Sequence, residues 1–402
     1  MRSLEGLTVL DLTRVLAGPF CTQILSDLGA AVWKIEPPWG DDTRGWGPPF
    51  VEGESAYYLS ANRGKQSIAV NLRSRRGQAV VRELALRADV LVENFKPGDL
   101  ARAELDYASL APLNPGLVYA SITGFGHDGP RADEPGYDLA LQGMTGIMSV
   151  TGEPGRPPVR VGVAWIDVLT GLVVAIGILA ALRDRDRRGQ GQHLDLSLFD
   201  VGLMCMANQA QSYLLSGAPP GRLGSAHPQI VPYQAFQALD GWFILAVGND
   251  SQYRKMAEAI GQEALGADAR FQTNEDRVRN REAIVEALAT AFAARPRDEW
   301  LQVLKTAGVP AAPVWDLREA FADPHARARD VIWKVSHPTL GEIPLVANAL
   351  GHMRGTPAAP GAHPPLLGEH TRAVLAEVLG MPPEEIASLE AEGAILARAQ
   401  RA

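Results

Sequence analysis

A single carboxylate, Asp167, stands in an apolar stretch that covers residues 161–182. Burying an unpaired charge is costly, so an acid in this position calls for a physical reason. Residues 168–182 carry no charge and predict a buried helix that starts at or just after Asp167. There, free N–H groups and the helix dipole would stabilise an anion. Two interpretations stay open from these residues: a helix cap only, or a carboxylate held ionised in a dry pocket as a nucleophile.

The composition of the whole chain limits its class. A length of 402 residues exceeds one ordinary hydrophobic core and predicts two lobes. With 46% hydrophobic and 21% charged residues, the chain is typical of a globular enzyme. Its formal net charge of -8 argues against nucleic acid or an anionic membrane as a partner. We expect neither a secretion signal nor a transmembrane segment.

Cysteine, histidine and glycine usage narrows the chemistry further. The two cysteines, Cys21 and Cys205, define no disulfide framework, and their scarcity fits a reducing compartment, so we expect a cytoplasmic protein. The eight histidines are scattered without ligand spacing, which predicts no metal site. The loop after the first expected strand has only Gly18 and lacks the G-x-G-x-x-G fingerprint, so a dinucleotide cofactor is disfavoured.

Short apolar runs indicate the elements that would position Asp167. The predicted strands span residues 7–12, 30–35, 67–72, 89–95 and 116–122, and a predicted helix at 20–28 follows the first strand. A strand, loop, helix and strand in this order begin an open parallel sheet. Ligands of such sheets bind at the carboxyl ends of the strands. Arg14, Asn94 and the loop 123–137 fall at these ends.

The composition changes after residue 215. Residues 216–232 are rich in Gly, Pro and Ser and predict a linker into a second lobe. A hairpin pattern with Asp240-Gly241 at its turn and several short helices follow. We therefore predict three parts in chain order. They are the first part of a large domain (1–215), a small domain with its linkers (216–326), and a return to the large domain with C-terminal helices (327–402).

Eight short stretches form an ordered set along the chain. They are VLDLTRVLAGP (9–19), LGAAVWKIE (28–36), DTRGW (42–46), VENFKPG (92–98), TGFGHDG (123–129), PGYD (135–138), GQGQ (189–192) with Asp195, and PLLGEHT (365–371). Together they resemble the class III CoA-transferases over nearly the whole chain. The resemblance implies an α/β fold with a Rossmann-like parallel-sheet large domain and a small α+β domain. It also implies a homodimer whose ring-like subunits interlock.

The resemblance gives Asp167 a role. In that family an Asp attacks the thioester of an acyl-CoA, and Asp167 stands at the matching position, in V-G-V-A-x-x-D ahead of the apolar helix. It would form an anhydride with the acyl group and then a thioester with CoA, before an acceptor carboxylate reverses both steps. Coenzyme A and acyl-CoA are then substrates, together with a carboxylic acid. The resemblance implies no tightly bound cofactor and no metal.

The resemblance also assigns residues to the CoA site. Val15 and Ala17 match the turn that lines this site in the family. Asn94 and Phe95 match residues that hold the pantetheine and adenine end. Arg102 matches an arginine near the CoA phosphates, for which a solvated helix charge is the alternative.

Two positions separate branches of the family. Tyr137 matches a position beside the thioester, for which an ordinary boundary aromatic is the alternative. The α-methylacyl-CoA racemases have a His there, so Tyr137 puts proton exchange at the α-carbon in doubt. Formyl-CoA transferases have a Gln where Leu16 stands.

Longer and more idiosyncratic stretches resemble the branch that moves CoA from succinyl-CoA to glutarate and related dicarboxylates. They are DDTRGWGPPF, ESAYYLSANR, SAHPQIVPYQAF, AVGND and TNEDRVRNR. A distal carboxylate must be met by a cation, and the candidates are Arg14, Arg44 and Arg63. For each of them singly, a pair with a nearby acid or a CoA phosphate is the favoured alternative. Two other functions remain open: a CoA-thioester racemase or epimerase of the same fold, and a non-catalytic CoA-binding protein with Asp167 as a cap.

Overall fold

The structure, a computed structural model, describes residues 2–397 in two compact units. Unit 1 contains the described residues of 1–147, 161–211 and 327–402, and unit 2 contains 148–160 and 212–326. The expected boundary at residue 216 therefore needs correction. Residues 148–160 join unit 2 because backbone and side-chain hydrogen bonds tie them to its linker, as in Gly224 N to Gly152 O at 2.9 Å.

The first half of the chain carries most of the sheet. Its strands are β1 (Thr8–Asp11), β2 (Ala31–Glu36), β3 (Phe50–Val51), β4 (Glu54–Ser55), β5 (Lys65–Val70), β6 (Val90–Glu93), β7 (Val118–Thr123) and β8 (His193–Ser197). Its α-helices are α1 (Ala17–Asp27), α2 (Ala56–Ser60), α3 (Arg75–Ala85), α4 (Tyr107–Leu110), α5 (Asp138–Met144), α6 (Ile147–Val150), α7 (Trp165–Arg188), α8 (Leu198–Met204) and α9 (Ala207–Ser216).

The second half of the chain contributes the remaining elements. Its strands are β9 (Tyr233–Gln237), β10 (Trp242–Ala246), β11 (Ala311–Pro313), β12 (Ile332–His337), β13 (Gly341–Val346) and β14 (Ile395–Leu396). Its α-helices are α10 (Asp250–Ala259), α11 (Glu263–Ala267), α12 (Asn274–Arg279), α13 (Arg281–Phe292), α14 (Arg297–Thr306), α15 (Leu317–Ala322), α16 (Pro324–Ala328), α17 (Thr371–Leu379) and α18 (Pro383–Ala391).

The main sheet of unit 1 has the strand order β14-β5-β2-β1-β6-β7-β8. Its neighbours are parallel except β14, which pairs antiparallel with β5. This confirms the expected α/β fold with a mostly parallel central sheet. Apart from β14 the order is that of a doubly wound sheet, whose connections reverse direction between β1 and β6. At that switch point Leu10 lies between Trp33 and Leu91. A ligand crevice is expected outside the carboxyl ends of β1 and β6.

Both faces of the main sheet are covered by helices. Successive strand residues point to opposite faces, so Val9 joins the core under α1 and α7, whereas Leu10 joins the core under α3, α17 and α18. The amphipathic helix α3 begins at Ser74, whose hydroxyl accepts a hydrogen bond from Gly77 N. Helices on both faces explain why most residues of the parallel strands are buried, including the charged Lys34 and Lys65.

The apolar run predicted as a buried helix belongs to α7, which begins at Trp165 and spans 24 residues. The expected start at or just after Asp167 is therefore two residues late. α7 ends at Arg188, and Gly189 with a φ of 73° caps it. By length and composition α7 could also cross a membrane, contrary to our expectation that no segment would qualify. It packs against α1, α5, β7 and β8, and 44% of its most apolar window is buried.

Unit 2 has its own hydrophobic core. β9 and β10 form the predicted hairpin, and Ala238 N donates to Gly241 O at its turn. β11 adds to the other edge of β10, which gives a three-stranded antiparallel sheet. Helices of the same unit pack on it through Phe243, Phe292 and Trp300.

Candidate active site

A crevice of about 200 Å³ opens at the switch point of the main sheet. The turn after β1, the turn after β6 and the segment before α5 form its walls. It brings together Arg14, Val15, Ala17, Asn94, Phe95, Tyr137 and Asp167. The crevice therefore joins the expected nucleophile to most of the residues expected to bind CoA.

The backbone of the turn after β1 is strained, and side chains from other segments hold it in place. Val15 has a φ of 72°, in the left-handed region that a β-branched residue rarely adopts. Its N–H lies 3.4 Å from Asp41 Oδ1. The side chain of Asn94 binds both backbone groups of Arg14, the residue before Val15. Its Oδ1 accepts from Arg14 N at 3.1 Å, and its Nδ2 donates to Arg14 O at 2.8 Å. Asn94 thus shapes the turn with both polar ends of its side chain.

Buried ion pairs lie under this turn. Lys34 Nζ donates to Thr13 O and to Asp41 Oδ2, each at 3.0 Å. Lys65 Nζ donates to Asp11 Oδ2 at 3.1 Å. Burial alone would raise the pKa of Asp11, but the charges of Lys65 and Lys34 outweigh it and lower that pKa to about 2. Burial lowers the pKa of Lys65 to about 8, although Asp11 acts in the opposite direction. At neutral pH these groups are charged and hold the turn in place.

Asp167 is the third residue of α7 and is partly buried in the crevice. The residue before the helix is Ala164, which offers no side-chain cap, so the interpretation of Asp167 as the cap itself is wrong. Burial and then the charge of Asp138 raise the pKa of Asp167 to about 7. The pKa of Asp167 therefore lies above its ordinary value although the carboxylate stands in the first turn of α7.

Three residues around Asp167 escaped the sequence analysis. Asp138 Oδ1 accepts from the backbone N–H groups of Ile166 at 2.8 Å and of Asp167 at 3.3 Å, so it caps α7 from α5. Gln142 holds the other oxygen of Asp138. Burial and the charges of Asp167 and Asp138 raise the pKa of Tyr57 to about 12. The sequence did contain a signal for Asp138 and Gln142, because an acid and a Gln four residues apart lie on one face of a helix.

Two of the three arginines proposed for a distal carboxylate are already paired. Arg44 makes two hydrogen bonds of 2.7 Å to Glu36 and a further one to Tyr58. Arg63 binds Asp27 through Nε at 2.8 Å and Nη2 at 2.7 Å. Both are planar, two-pronged ion pairs with nearly buried acids, which leaves the guanidinium no fork for a substrate. The structure therefore contradicts both as carboxylate ligands and supports the alternative of a structural pair.

Arg14 differs from those two arginines. Its side chain is 56% exposed, lies at the crevice, and has Asp42 as a distant partner at 3.6 Å. A solvated pair of this length is weak and can be exchanged for another carboxylate. Of the three candidates, Arg14 alone keeps the geometry of a substrate ligand.

Arg102 lies away from Asp167. It lines a second cavity of about 480 Å³ together with Trp39 and Arg73, and Arg14 and Phe95 contribute to the walls of both cavities. The Arg102 side chain is 85% exposed and pairs with Asp99 at 3.7 Å, a solvated contact that can be exchanged for a charged ligand group. Within residues 2–397, no group of His, Cys, Asp and Glu side chains has the arrangement of a metal site.

Comparison with known proteins decides the family. The model of CoA-transferase family III matches residues 4–371. The chain belongs to CoA-transferase family III. It is therefore an enzyme of the CoA-transferase class, and the alternative of a non-catalytic CoA-binding protein is not retained.

Several relatives of this family III CoA-transferase cover almost its full length. The succinate–glutarate CoA-transferase of Agrobacterium fabrum is 46% identical over 93% of this chain and 95% of its own. The human succinyl-CoA:glutarate CoA-transferase is 39% identical over 98% of this chain and 90% of its own. The crystal structure of a CAIB/BAIF family protein from Brucella suis matches with a TM-score of 0.84 and 46% identity, over 94% of this chain and 99% of that one.

Proposed function

We propose that this CoA-transferase moves CoA from succinyl-CoA to a dicarboxylate of four to six carbons such as glutarate, and that Asp167 is its nucleophile. The observation that carries the proposal is a partly buried carboxylate with a pKa near 7 at the switch-point crevice. A weakly solvated carboxylate that titrates near neutral pH is both available as an anion and more nucleophilic than a fully hydrated one. The names of the relatives support the substrate pair.

The first half-reaction consists of two attacks. The ionised Asp167 oxygen attacks the thioester carbon of the acyl-CoA, the carbon–sulfur bond breaks, and CoA leaves as a thiolate from the resulting anhydride. The thiolate then attacks the Asp167 carbonyl carbon of that anhydride. The first acid leaves as a carboxylate, and Asp167 holds CoA as a thioester.

The second half-reaction reverses these steps with a new acid. The acceptor carboxylate attacks the Asp167 thioester, and the thiolate is released while a second anhydride forms. The thiolate attacks the acceptor's carbonyl carbon, which frees Asp167 and gives the new acyl-CoA. Oxygen and sulfur nucleophiles exchange acyl groups throughout without a net redox change, so we propose no tightly bound cofactor and no metal.

CoA would lie along the walls of the two cavities. The strained turn at Val15, together with Ala17 and Phe95, would contact the pantetheine arm beside Asp167. The larger cavity would hold the adenosine phosphate end, where Arg73 and Arg102 offer positive charge. Phosphate groups favour arginine because the guanidinium donates two parallel hydrogen bonds.

We also propose a homodimer whose ring-like subunits interlock. Leu172, Ile176 and Leu179 repeat at helical spacing along α7 and are 41%, 66% and 36% exposed. An apolar stripe of this kind on one helix is typical of a surface that another chain covers. We propose a cytoplasmic protein without a membrane or nucleic-acid partner, in keeping with the net charge of -8.

Chemical trapping tests the nucleophile. Succinyl-CoA is mixed with the protein, hydroxylamine is added, and the peptides are weighed by mass spectrometry. An acylated or CoA-bearing Asp167 is converted to a hydroxamate, so we expect a mass increment on its peptide and none in Asp167→Asn. Transfer by Asp167→Asn at near wild-type rate, with deamidation excluded, contradicts the assignment of the nucleophile.

Two further measurements test the substrate and the assembly. A panel of acceptors tests the substrate: succinate and glutarate should outcompete butyrate and valerate, whereas equal rates contradict the dicarboxylate assignment.

Sedimentation tests the assembly: we expect a dimer at micromolar concentration, and a tagged protomer should not exchange into it on dilution. A monomer at that concentration contradicts the interlocked dimer.

A further inference from the structure

The N-terminus of α7 is capped by a residue from another helix. Ala164 at the cap position makes no side-chain hydrogen bond, so the free N–H groups of the first turn need another acceptor. Asp138 Oδ1 supplies it, at 2.8 Å from Ile166 N and 3.3 Å from Asp167 N. The backbone of Asp167 is therefore fixed by a side chain whose own position must be fixed.

Gln142 fixes that side chain. It is fully buried, one helical turn after Asp138 in α5. Its Nε2 donates to Asp138 Oδ2 at 2.6 Å, and the same nitrogen lies 3.4 Å from Val163 O. Its Oε1 accepts from Val161 N at 2.9 Å. One buried amide thus joins Asp138 to the segment that leads into α7.

The orientation of this amide is determined by its partners. A flipped amide would set its oxygen against the carboxylate of Asp138 and the carbonyl of Val163, and its NH₂ against the N–H of Val161. A donor is therefore required on one side of residue 142 and an acceptor on the other. A Glu has no donor when ionised, and a Met has neither group.

We propose that Gln142 is the positioning residue for Asp167, acting through Asp138 and through the segment 161–163. The inference rests on the proposed role of Asp167 as nucleophile. Gln142 and Asp138 together hold backbone groups on both sides of the turn into α7. A displacement of about 1 Å of a reacting group costs on the order of a hundred-fold in rate. Removal of the amide should therefore lower kcat far more than it raises KM for the acyl-CoA.

Two variants and one matched control test the proposal. Gln142→Met removes both polar ends at similar volume, and Gln142→Glu keeps the acceptor but loses the donor. Gln23→Met is the control, because Gln23 is 2% exposed and also binds backbone at both ends, to Ser60 O at 3.2 Å and Arg63 N at 3.0 Å. It should lower the melting temperature as Gln142→Met does and leave kcat within about twofold.

The pH dependence separates positioning from general damage. We expect kcat of both Gln142 variants to fall on the order of a hundred-fold at pH 8. Asp138, Asp167, Tyr57 and, through Tyr57, Asp41 are the titratable groups coupled to the site, and the pKa of Tyr57 near 12 keeps it neutral in the tested range. At pH 5.5 the introduced carboxyl of Gln142→Glu can carry a proton and donate to Asp138. The ratio of its kcat to wild type should therefore rise at least about fivefold as pH falls, whereas that of Gln142→Met stays flat.

Amide hydrogen exchange gives a readout that does not depend on the reaction. The amides of the peptide covering residues 161–170 should exchange faster than in wild type in both Gln142 variants. In Gln23→Met their exchange rate should be unchanged. Unchanged exchange there, or kcat within about twofold of wild type in both Gln142 variants, overturns the positioning role. If instead Asp167→Asn retains transfer while exchange responds as expected, the nucleophile assignment fails and the anchoring of this segment by Gln142 stands.

Discussion

Unit 1 holds two sets of carboxylates in poorly solvated places, and they differ in their partners. Under the turn after β1, Asp11 and Asp41 are matched by Lys65 and Lys34, and all four side chains are at most 4% exposed. Burial opposes their ionisation, yet the lysines outweigh it, so the pKa values of both acids are lowered. A carboxylate paired in this way is chemically inert because its charge is fully satisfied.

At the start of α7 the same desolvation acts on Asp167, but the charged group that influences it is a second carboxylate, Asp138. Its pKa therefore moves up to about 7 and not down. Asp167 is less buried than Asp11 and Asp41, so the upward direction of its pKa shift follows from the absence of a paired cation among the described residues and not from deeper burial. The first set supports the shape of the turn after β1, and the second keeps a carboxylate oxygen weakly solvated and available, as the proposed nucleophile requires.

Removing a cation from the first set should have the largest effect. Lys34→Met leaves Asp41 buried without its partner, and breaking a buried pair in this way costs about 3 to 5 kcal/mol of unfolding free energy. We expect that loss in urea denaturation, together with weaker CoA binding because Lys34 also holds Thr13 O. Lys334→Met is the control, since its pair with Glu342 is 66% and 63% exposed and its loss should leave the urea midpoint within error. A loss below about 1 kcal/mol in Lys34→Met would show that the buried network is not structural.

Neutralising Asp167, in the second set, should change the free energy of unfolding in the opposite direction. A carboxyl whose folded-state pKa is raised contributes stability that is present below its unfolded pKa of 3.8 and is lost as pH rises through about 7. Asp167→Asn lacks this loss, so its stability relative to wild type should grow by about 2 kcal/mol between pH 5 and pH 8. Urea denaturation at the two pH values measures it. A difference that does not change with pH would mean that Asp167 has an ordinary pKa.

The contrast between the two sets could be predicted only in part. The apolar run around Asp167 predicted an acid in a dry environment, and the ordered motifs gave the expectation that it belongs to a CoA site. The strands, whose apolar residues form compact runs, were predicted to within a few residues because local pattern decides them. The capping of α7 by Asp138 was not predicted, because a cap supplied by another helix gives no signal in the sequence of the helix it caps.

Arg44 and Arg63 show the same limit of sequence-based prediction, because their partners are not their neighbours in the chain. For Arg44 and Arg63 singly, a pair with an acid or a CoA phosphate is the favoured alternative, but the sequence does not identify the acid, since neither partner lies within one helical turn. Their acids, Glu36 and Asp27, reach them only when β2 and α1 are packed against the following segments. The β14 strand escaped notice for a related reason, because a two-residue strand carries no periodicity. Tertiary pairing of polar groups is thus the part that pattern reasoning leaves out.

A milder change sharpens the second set. Asp138→Asn removes the neighbouring charge that helps raise the pKa of Asp167, although burial, the larger cause, remains. The limb of kcat/KM that rises with pH should therefore move to lower pH, by up to about one unit. A profile from pH 5 to 9 measures the shift, with Asp184→Asn as a control that leaves it in place, because Asp184 pairs with Arg188 at the other end of α7. A limb that stays fixed or moves upward would contradict the electrostatic coupling, whatever happens to the plateau rate.

The smallest effect should come from Arg14, whose charge belongs to neither set. It is the one arginine of the three candidates whose side chain is both exposed and at the crevice, so its contact with a distal carboxylate is solvated and worth about 1 kcal/mol or less. We expect Arg14→Gln to raise KM for glutarate about three- to fivefold while KM for valerate stays within error, and Arg14→Lys to recover part of the difference. Arg44→Gln and Arg63→Gln are not informative here, because they break buried pairs and should act on stability. If both acids respond equally to Arg14→Gln, the turn after β1 binds CoA alone and the distal carboxylate is recognised elsewhere.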